Sequence, residues 1–304
     1  MTVCVAAICE NNDTILGASD RMLTAGNVQF QPPASKAYQL TKSIVVMVAG
    51  EMTIQAEIIS GLRNRINTLI AQEPPPDWLN VKDVALMYAD LYNAMKARRG
   101  EIDILIPLGL TLETFVSRQR ELAPELVSSI ATELIGKSLP GTGAIVTGVD
   151  RTGAHIFVVD KGTINCHDAA GFAAIGAGWY HASSHLMFSR HGKNGTLSRT
   201  LLLTYTAKKR SEVAPGVGVE TDMFAVRGLG RFFEIGDHVI QELQKRYDKA
   251  IVGHARVEAI AERKADEYIK EITKPAEQAG QTGQQIVLPA PPVNEEFSSH
   301  AGES

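Results

Sequence analysis

Four strand-length apolar segments crowd into the first fifty residues, and this density constrains the fold more than any other feature of the chain. The segments cover residues 2–9, 14–19, 36–40 and 43–50. The polar cluster at residues 10–13 predicts a hairpin turn between the first two. Parallel strand–helix–strand units need crossovers of a dozen or more residues, so four strands in fifty residues indicate an antiparallel sheet.

The hydrophobic period then changes twice along the chain. Apolar residues recur every three to four positions in three segments, which predicts amphipathic helices at residues 52–71, 81–99 and 112–135. Pro74 to Pro76 end the first of these, and Pro124 interrupts the third. The strand pattern returns at residues 143–150, 154–160, 171–178 and 219–227, with helical stretches at 179–192 and 198–213. This order of sheets and helices predicts a mixed α+β domain.

The last part of the chain differs in composition from the rest. Residues 236–273 are charged with a helical pattern, and residues 274–304 are rich in proline, glutamine, glycine and serine. The latter composition offers too little apolar surface to fold, so we expect a disordered tail. The predicted organisation is one domain over residues 2–235, with a helical insertion near 101–140, followed by the charged helix and the tail.

Bulk composition excludes several classes of protein. The net charge of −4 and the pI near 6.1 argue against nucleic acid as a partner, because phosphate binding requires a basic excess. Three scattered cysteines are too few for a disulfide framework or a thiolate metal site. The first 20 residues have no secretory pattern, and no apolar run reaches the ~18–20 residues of a membrane span. We therefore expect a soluble, cytoplasmic protein that does not engage a membrane.

Three motif-like stretches suggest ligands but lack residues that the chemistry requires. Residues 131–138 resemble a phosphate-binding loop, but Ala131 replaces the first glycine and the stretch follows a helical pattern. The close glycines of residues 141–148 precede a strand instead of a helix. His181 and His185 have zinc-ligand spacing, but their segment lacks the glutamate of zinc peptidases. We expect no nucleotide, metal or other cofactor here.

Thr2 offers a complete minimal catalyst. Removal of Met1, which a small second residue favours, would leave a hydroxyl nucleophile and an amine of pKa about 7.7–8.0 on one residue. Such a pair also needs a nearby cation, an acid that holds the cation and a backbone donor for the oxyanion. Lys36, Asp20 and Gly50 are candidates for these roles, because each stands at the end of a predicted strand.

Together these landmarks resemble the proteasome β-subunits and the HslV-type peptidases, which are N-terminal nucleophile hydrolases. The chain has the threonine-headed strand, ASDR followed by a threonine, a lysine before an aromatic-containing strand, and VAG ahead of the first helix. GFAAIGAGWYHA resembles the Gly-Ser-Gly turn of that family, and TAKKR followed by TDMFAV resembles its late helix and strand. The resemblance covers residues 2–230 outside the insertion.

The resemblance implies an αββα four-layer sandwich and assigns roles to the landmark residues. Thr2 would be the nucleophile, and its amine, directly or through a water, would be the base. Lys36 would lower the pKa of Thr2, and Asp20 would orient Lys36. The Gly50 N–H would donate to the oxyanion, and the backbone of Thr24 would pair with an extended peptide.

The resemblance also implies a specificity pocket and exposes departures from the family. Four residues, Leu23, Val48, Met52 and Ala56, fall where the family lines its first pocket, which would be modest, uncharged and suited to small or apolar side chains. Ala177 replaces the serine of the Gly-Ser-Gly turn. The usual Asp and Ser after the late helix fall on Ser211 or Glu212 and then on Ala214. These supporting groups normally hydrogen-bond the terminal amine, so reduced or unusual activity is one expectation.

The implied activity is that of a threonine-type peptidase without metal or cofactor. Its substrate would be a peptide or an unfolded protein, and the subunits would assemble with themselves into a ring or an open spiral. Any ATP-driven unfoldase would be a separate chain. Two alternatives remain open: an amidase that uses the same nucleophile on a small amide, and an inactive structural subunit.

Overall fold

The computed structural model describes residues 2–25, 28–32, 35–73, 78–228 and 230–273. The chain divides into two compact units, Met1–Tyr247 and Asp248–Ser304. The proline triplet that was expected to end the first helix and the tail from residue 274 lie outside the described residues.

The strands are β1 (Val3–Cys9), β2 (Thr14–Asp20), β3 (Leu23–Ala25), β4 (Val28–Phe30), β5 (Ala37–Gln39), β6 (Ile44–Ala49), β7 (Gly143–Asp150), β8 (Gly153–Asp160), β9 (Thr163–Cys166), β10 (Phe172–Gly176), β11 (Thr221–Arg227) and β12 (Arg231–Glu234). The α-helices are α1 (Met52–Ile70), α2 (Val81–Gly100), α3 (Leu112–Ser117), α4 (Pro124–Gly136), α5 (Trp179–Phe188), α6 (Leu197–Arg210) and α7 (Asp237–Ile272).

The strands form two antiparallel five-stranded sheets and one small hairpin. The first sheet has the order β10-β1-β2-β11-β12, and the second has the order β5-β6-β7-β8-β9. β3 and β4 pair only with each other among the described residues. The first strand of the chain is therefore an interior strand, with β10 on one side and β2 on the other.

The two sheets pack face to face, and helices cover their outer faces. Alternation along β6 shows the layering: Val45 and Met47 pack against residues of the first sheet, whereas Val46 and Val48 pack against α1 and α2. On the other side, apolar residues of β1 pack against α5 and α6. The predicted α+β sandwich of helix, sheet, sheet and helix layers is confirmed.

The structure differs from the predicted elements mainly in short segments. β3, β4, β9 and β12 each have only three or four residues and were not predicted. The interruption predicted at Pro124 within residues 112–135 is confirmed, but it is wider than one residue: α3 ends at Ser117, and residues 118–123 leave the α conformation before Pro124 opens α4. The helix predicted at 179–192 ends at Phe188, and that at 198–213 ends at Arg210 with a 3-10 turn after it.

The first turns of α7 belong to the larger unit. Val239, Ile240 and Leu243 pack beside Tyr205 of α6 and Met223 of β11. In the second unit, the described residues 248–273 continue the helix with exposed side chains. Among the described helices, none is long and apolar enough to cross a membrane.

One buried histidine gives the fold a testable dependence on pH. His185 of α5 is buried, neither of its ring nitrogens has a hydrogen-bond partner among the described residues, and burial with Arg210 nearby lowers its pKa to about 4. His181 on the same helix is exposed. His181 and His185, which were not expected to bind zinc, therefore lie in different environments, and His185 packs as a neutral residue of the core.

We expect the melting temperature to fall as the pH is lowered from about 6.5 towards 4, partly because of His185. The unfolded chain binds a proton near the ordinary pKa of about 6.5, whereas the folded chain binds it only near 4, so protonation favours unfolding in that window. His185→Leu should lose less melting temperature between pH 7 and pH 4.5 than the wild type, by calorimetry. His181→Leu is the control on the same helix; equal losses in all three proteins would contradict the prediction.

Candidate active site

Three predicted residues meet where strand ends of the two sheets come together. Thr2 directly precedes β1, and Asp20 is the last residue of β2, so the antiparallel pairing of these strands brings the two residues to the same end of the first sheet. Lys36 directly precedes β5 of the second sheet. The sandwich thus places residues that are distant in sequence in one cluster.

The side chains of this cluster are in direct contact and almost fully buried. The Lys36 Nζ lies 2.5 Å from Thr2 Oγ1 and 3.0 Å from Asp20 Oδ1, and the Thr2 hydroxyl donates to Asp20 Oδ1. The exposed fractions of Thr2, Asp20 and Lys36 are 2%, 0% and 2%. At low local dielectric, an ammonium in contact with a hydroxyl oxygen strongly favours the alkoxide form of that oxygen.

Backbone donors fix the carboxylate of Asp20. Its Oδ1 accepts from the Val3 N–H at 2.9 Å, and its Oδ2 accepts from the N–H groups of Met22 at 3.0 Å and Gly218 at 2.9 Å. Lys36 donates a further hydrogen bond to the Met22 carbonyl at 2.5 Å. A buried carboxylate with both oxygens satisfied cannot rotate freely, so Asp20 holds Lys36 in a defined position.

A glycine turn after β10 encloses the backbone of Thr2. Gly176 has a φ of +88°, and a Cβ there would clash with the Thr2 carbonyl oxygen and lie 2.8 Å from Thr2 Cγ2. The Gly178 N–H donates to the same carbonyl at 3.3 Å. Ala177, predicted as a departure from the family, lies between these glycines and is exposed. The turn is therefore next to the nucleophile candidate, but residue 177 has no hydroxyl to offer.

The other two residues predicted to support the terminal amine, Ser211 and Glu212, bind groups away from Thr2. The Ser211 hydroxyl donates to the Ala207 carbonyl at 2.8 Å, one turn back along the chain. Glu212 accepts from both Lys208 and Lys209 at 2.7 Å. A Cβ on Gly178 would lie 2.7 Å from Ser211 Cβ, so Ser211 supports the glycine turn by packing.

Gly50 stands at the end of β6 in a conformation that favours glycine. Its φ is +105°, and a Cβ would clash with the Gly141 carbonyl oxygen and lie 2.9 Å from Thr142 Cα. The Val48 N–H, two residues earlier, donates to the Lys36 carbonyl at 3.0 Å. The strand that ends at Gly50 is thus hydrogen-bonded directly to the backbone of the catalytic lysine candidate.

Sequence reasoning missed Cys4, which ties the two sheets together beside the site. Its thiol donates to the Val48 carbonyl at 3.4 Å, from β1 of one sheet to β6 of the other. Burial raises the pKa of Cys4 to about 12, so the thiol stays neutral and acts as a weak donor. The period of two along a strand, which puts residues 2 and 4 on one face, is the signal that could have found it.

The predicted substrate-binding residues have different surroundings. Leu23 and Thr24 lie in β3, whose edge away from β4 carries no strand among the described residues. Val48 is fully buried against α1, Met52 is half-buried at the first position of α1, and Ala56 is exposed. The edge of β3 away from β4 is thus unpaired among the described strands, whereas Val48 belongs to the core between β6 and the helices α1 and α2.

An open cavity lies beside the site, next to the glycine turn at Gly176 and next to Gly50. Its volume is about 550 Å³, and its lining includes Gly176, which contacts Thr2, and Ala49 and Thr142, which flank Gly50. The remaining lining comes from residues 138–139 and 141–143, β8, β10, Lys161, Asn165 and Trp179. Thr2, Asp20 and Lys36 do not line the cavity themselves; it lies beside the residues that contact Thr2 and Gly50.

Comparison with known proteins adds no assignment. No protein-family model matches the chain, and no curated protein matches it significantly. Among the described residues, no group of three His, Cys, Asp or Glu side chains is placed to hold a metal ion. The function must therefore be argued from the geometry of the site.

The buried ion pair predicts a measurable coupling in stability. Lys36→Met would leave Asp20 charged and buried without its cation, which should cost about 3–5 kcal/mol in the free energy of unfolding. The double variant Asp20→Asn/Lys36→Met should lose less than the sum of the two single variants. Urea unfolding measures all four proteins; Lys42→Met, at an exposed site, is the control. Strictly additive losses would argue against a coupled pair.

Gly50→Ala tests the backbone at the end of β6. The added methyl group meets the 141–142 backbone, and alanine disfavours the φ of +105°, so a loss of about 1–3 kcal/mol is expected. Gly136→Ala is the matched control, because a Cβ there meets open space at the end of α4. Thermal unfolding measures both; a Gly50→Ala protein as stable as the control would contradict the assigned backbone.

Proposed function

We propose that this protein is a threonine-type hydrolase that cleaves peptide bonds with Thr2 as its nucleophile once Met1 has been removed. The observation that carries the proposal is the Lys36 ammonium, buried and 2.5 Å from Thr2 Oγ1, with Asp20 in contact with both. Burying an ion pair against a hydroxyl is costly for a fold, and such groups concentrate at functional sites. The proteasome-like resemblance of the sequence points to the same chemistry.

In the proposed reaction, the freed amine of Thr2 accepts the proton of its own hydroxyl, directly or through a water. Lys36 stabilises the resulting alkoxide, which attacks the substrate carbonyl carbon to form a tetrahedral oxyanion. The Gly50 N–H donates to that oxyanion. Collapse breaks the C–N bond, the leaving amine takes the proton, and a Thr2 ester remains. Water then hydrolyses the ester and regenerates the hydroxyl.

A peptide substrate is favoured over a small amide by the surroundings of the site. The free edge of β3 offers backbone groups to an extended chain, as in other cases of strand addition. Leu23, Met52 and Ala56 carry no charge. As the side of the proposed substrate pocket, they would suit small or apolar side chains of the peptide. The cavity of about 550 Å³, lined by Gly176 next to Thr2, would provide room for a further part of a peptide.

Self-assembly and a cytoplasmic location belong to the same proposal. Tyr180, Met187 and Phe188 on α5 have exposed fractions of 68%, 66% and 85%, and clustered exposed apolar residues mark interaction surfaces. A ring or open spiral of identical subunits would cover such a surface, and a separate ATP-driven unfoldase would deliver unfolded protein. The three cysteines are free thiols, which suits a reducing compartment.

The decisive experiment is intact-protein mass spectrometry before and after incubation with a peptide epoxyketone, which reacts with both the hydroxyl and the free amine of an N-terminal threonine. The chain should lack Met1 and gain one adduct on Thr2. Thr2→Ala should stay unlabelled, and Lys36→Ala should label slowly because the alkoxide loses its cation.

Lys42→Ala, at an exposed site near the same sheet, is the matched control and should label like the wild type. A chain that retains Met1, or that stays unlabelled after losing it, would overturn the proposed activity and favour a structural subunit. Labelling by a small β-lactone but not by the peptide epoxyketone, with hydrolysis of small amides, would favour the amidase.

A further inference from the structure

A second buried lysine, Lys208, is connected to Asp20 through the backbone of Gly218. Lys208, in the last turn of α6, has a fully buried side chain. Its ammonium donates to Glu212 Oε1 at 2.7 Å and to the carbonyl oxygens of Gly218 at 2.8 Å and Val219 at 2.9 Å. All three donors of the ammonium are therefore used inside the protein.

Burial of this ammonium costs the fold free energy. Desolvation lowers the pKa of Lys208, although Glu212 opposes that shift. An apolar side chain of similar length would fill the same space without that cost. The two carbonyl groups that Lys208 satisfies belong to the segment between α6 and β11, so the lysine fixes the backbone of that segment.

That segment in turn holds the carboxylate of the active-site candidate. The Gly218 N–H donates to Asp20 Oδ2 at 2.9 Å. A Cβ on Gly218 would lie 2.9 Å from Met22 Cβ and 3.1 Å from Met22 N, so its backbone is pressed against Met22. Met22 binds Asp20 through its N–H and Lys36 through its carbonyl. A displacement of Gly218 would therefore reach both charged residues beside Thr2.

We propose that Lys208 is a positioning residue for the Thr2 site, which it supports by holding Gly218 so that the Gly218 N–H fixes Asp20. This inference rests on the proposed function. Lys208 does not touch the reacting atoms; it acts through one peptide segment and one carboxylate. Glu212, which occupies a position predicted to support the terminal amine, acts instead by pairing with Lys208.

Removal of the Lys208 ammonium should slow the chemical step more than it weakens binding. The carbonyl groups of Gly218, which is buried, and Val219, whose hydrogen bond to Lys208 is partly buried, would lose their donor. The Gly218 segment would shift, and Asp20 would hold Lys36 less firmly. We expect roughly a 10- to 100-fold fall in the inactivation rate constant at saturating epoxyketone, which corresponds to about 1.4–2.7 kcal/mol of lost positioning. The concentration of epoxyketone at half-maximal rate should change much less.

Lys208→Met and Lys209→Met form a matched pair for the test. Both lysines lie at the end of α6 and both bind Glu212, but only Lys208 has hydrogen bonds to the Gly218 and Val219 carbonyls. The rate of adduct formation is followed by intact mass on the full chain, and the melting temperature is measured for each protein. Lys209→Met should keep the wild-type rate.

Glu212→Gln provides a second variant that preserves the shape of the site if Lys208→Met fails to fold. The charged groups that face Lys208 are Glu212, Lys209 and Asp20. Without the Glu212 charge, Lys208 should lose its proton at a lower pH, and the neutral amine has one donor fewer. The inactivation rate should fall at high pH as Lys208 loses its proton, and in Glu212→Gln this fall should begin at a lower pH than in the wild type. A purely structural role of Lys208 would not shift the pH profile.

The outcomes separate the two proposals. A labelled wild type, a 10- to 100-fold slower Lys208→Met and an unaffected Lys209→Met would support the positioning role. A labelled wild type with unchanged rates and pH profiles in Lys208→Met and Glu212→Gln would overturn that role alone. An unlabelled wild type would overturn the proposed function and, with it, the role of Lys208.

Discussion

The contact among Lys36, Asp20 and Thr2 is the interaction on which the rest of the structure depends. A lysine and an aspartate can be buried together only if each of their polar atoms finds a partner, and here the partners come from both sheets and from the segment before β11. The same hydrogen bonds that make burial tolerable also fix the geometry of the hydroxyl. Stability and the proposed chemistry therefore depend on one set of contacts.

The neighbouring backbone is shaped to make that contact possible. Gly176 and Gly50 lie at two strand ends where a side chain would collide with neighbouring backbone: that of Thr2 for Gly176, and that of residues 141–142 for Gly50. Each contact joins the ends of paired strands within one sheet, so the glycines let those strand ends lie close together. Cys4, kept neutral by burial, adds a donor between β1 and β6 without adding a second charge. The ε-ammonium of Lys36, directly before β5 of the second sheet, lies 2.5 Å from the hydroxyl of Thr2, directly before β1 of the first.

Sequence patterns predicted the long elements and the inner residues of the site, but not the short elements or the outer contacts. The continuous apolar run at residues 43–50 is typical of a strand covered on both faces, and alternate residues of β6 pack against opposite layers. β9 and β12 have too few residues to show a period. The roles of Ser211 and Glu212 depend on which of several nearby groups each hydroxyl or carboxylate binds, and no local pattern fixes that choice. Lys208 lies in helical register with Thr204 and Leu201, which is the only sequence signal of its burial.

The position of β1 inside its sheet has a consequence for how the chain acquires its structure during synthesis. β1 has one neighbour, β2, directly after it in the chain, but its other neighbour, β10, and the Gly218 donor to Asp20 are made only after most of the domain. Until then the apolar strand keeps one open edge, and such edges are prone to association with other chains. Residues that surround the nucleophile candidate are thus made much later than Thr2 itself, so a nascent chain carries Thr2 without the environment that would make it reactive.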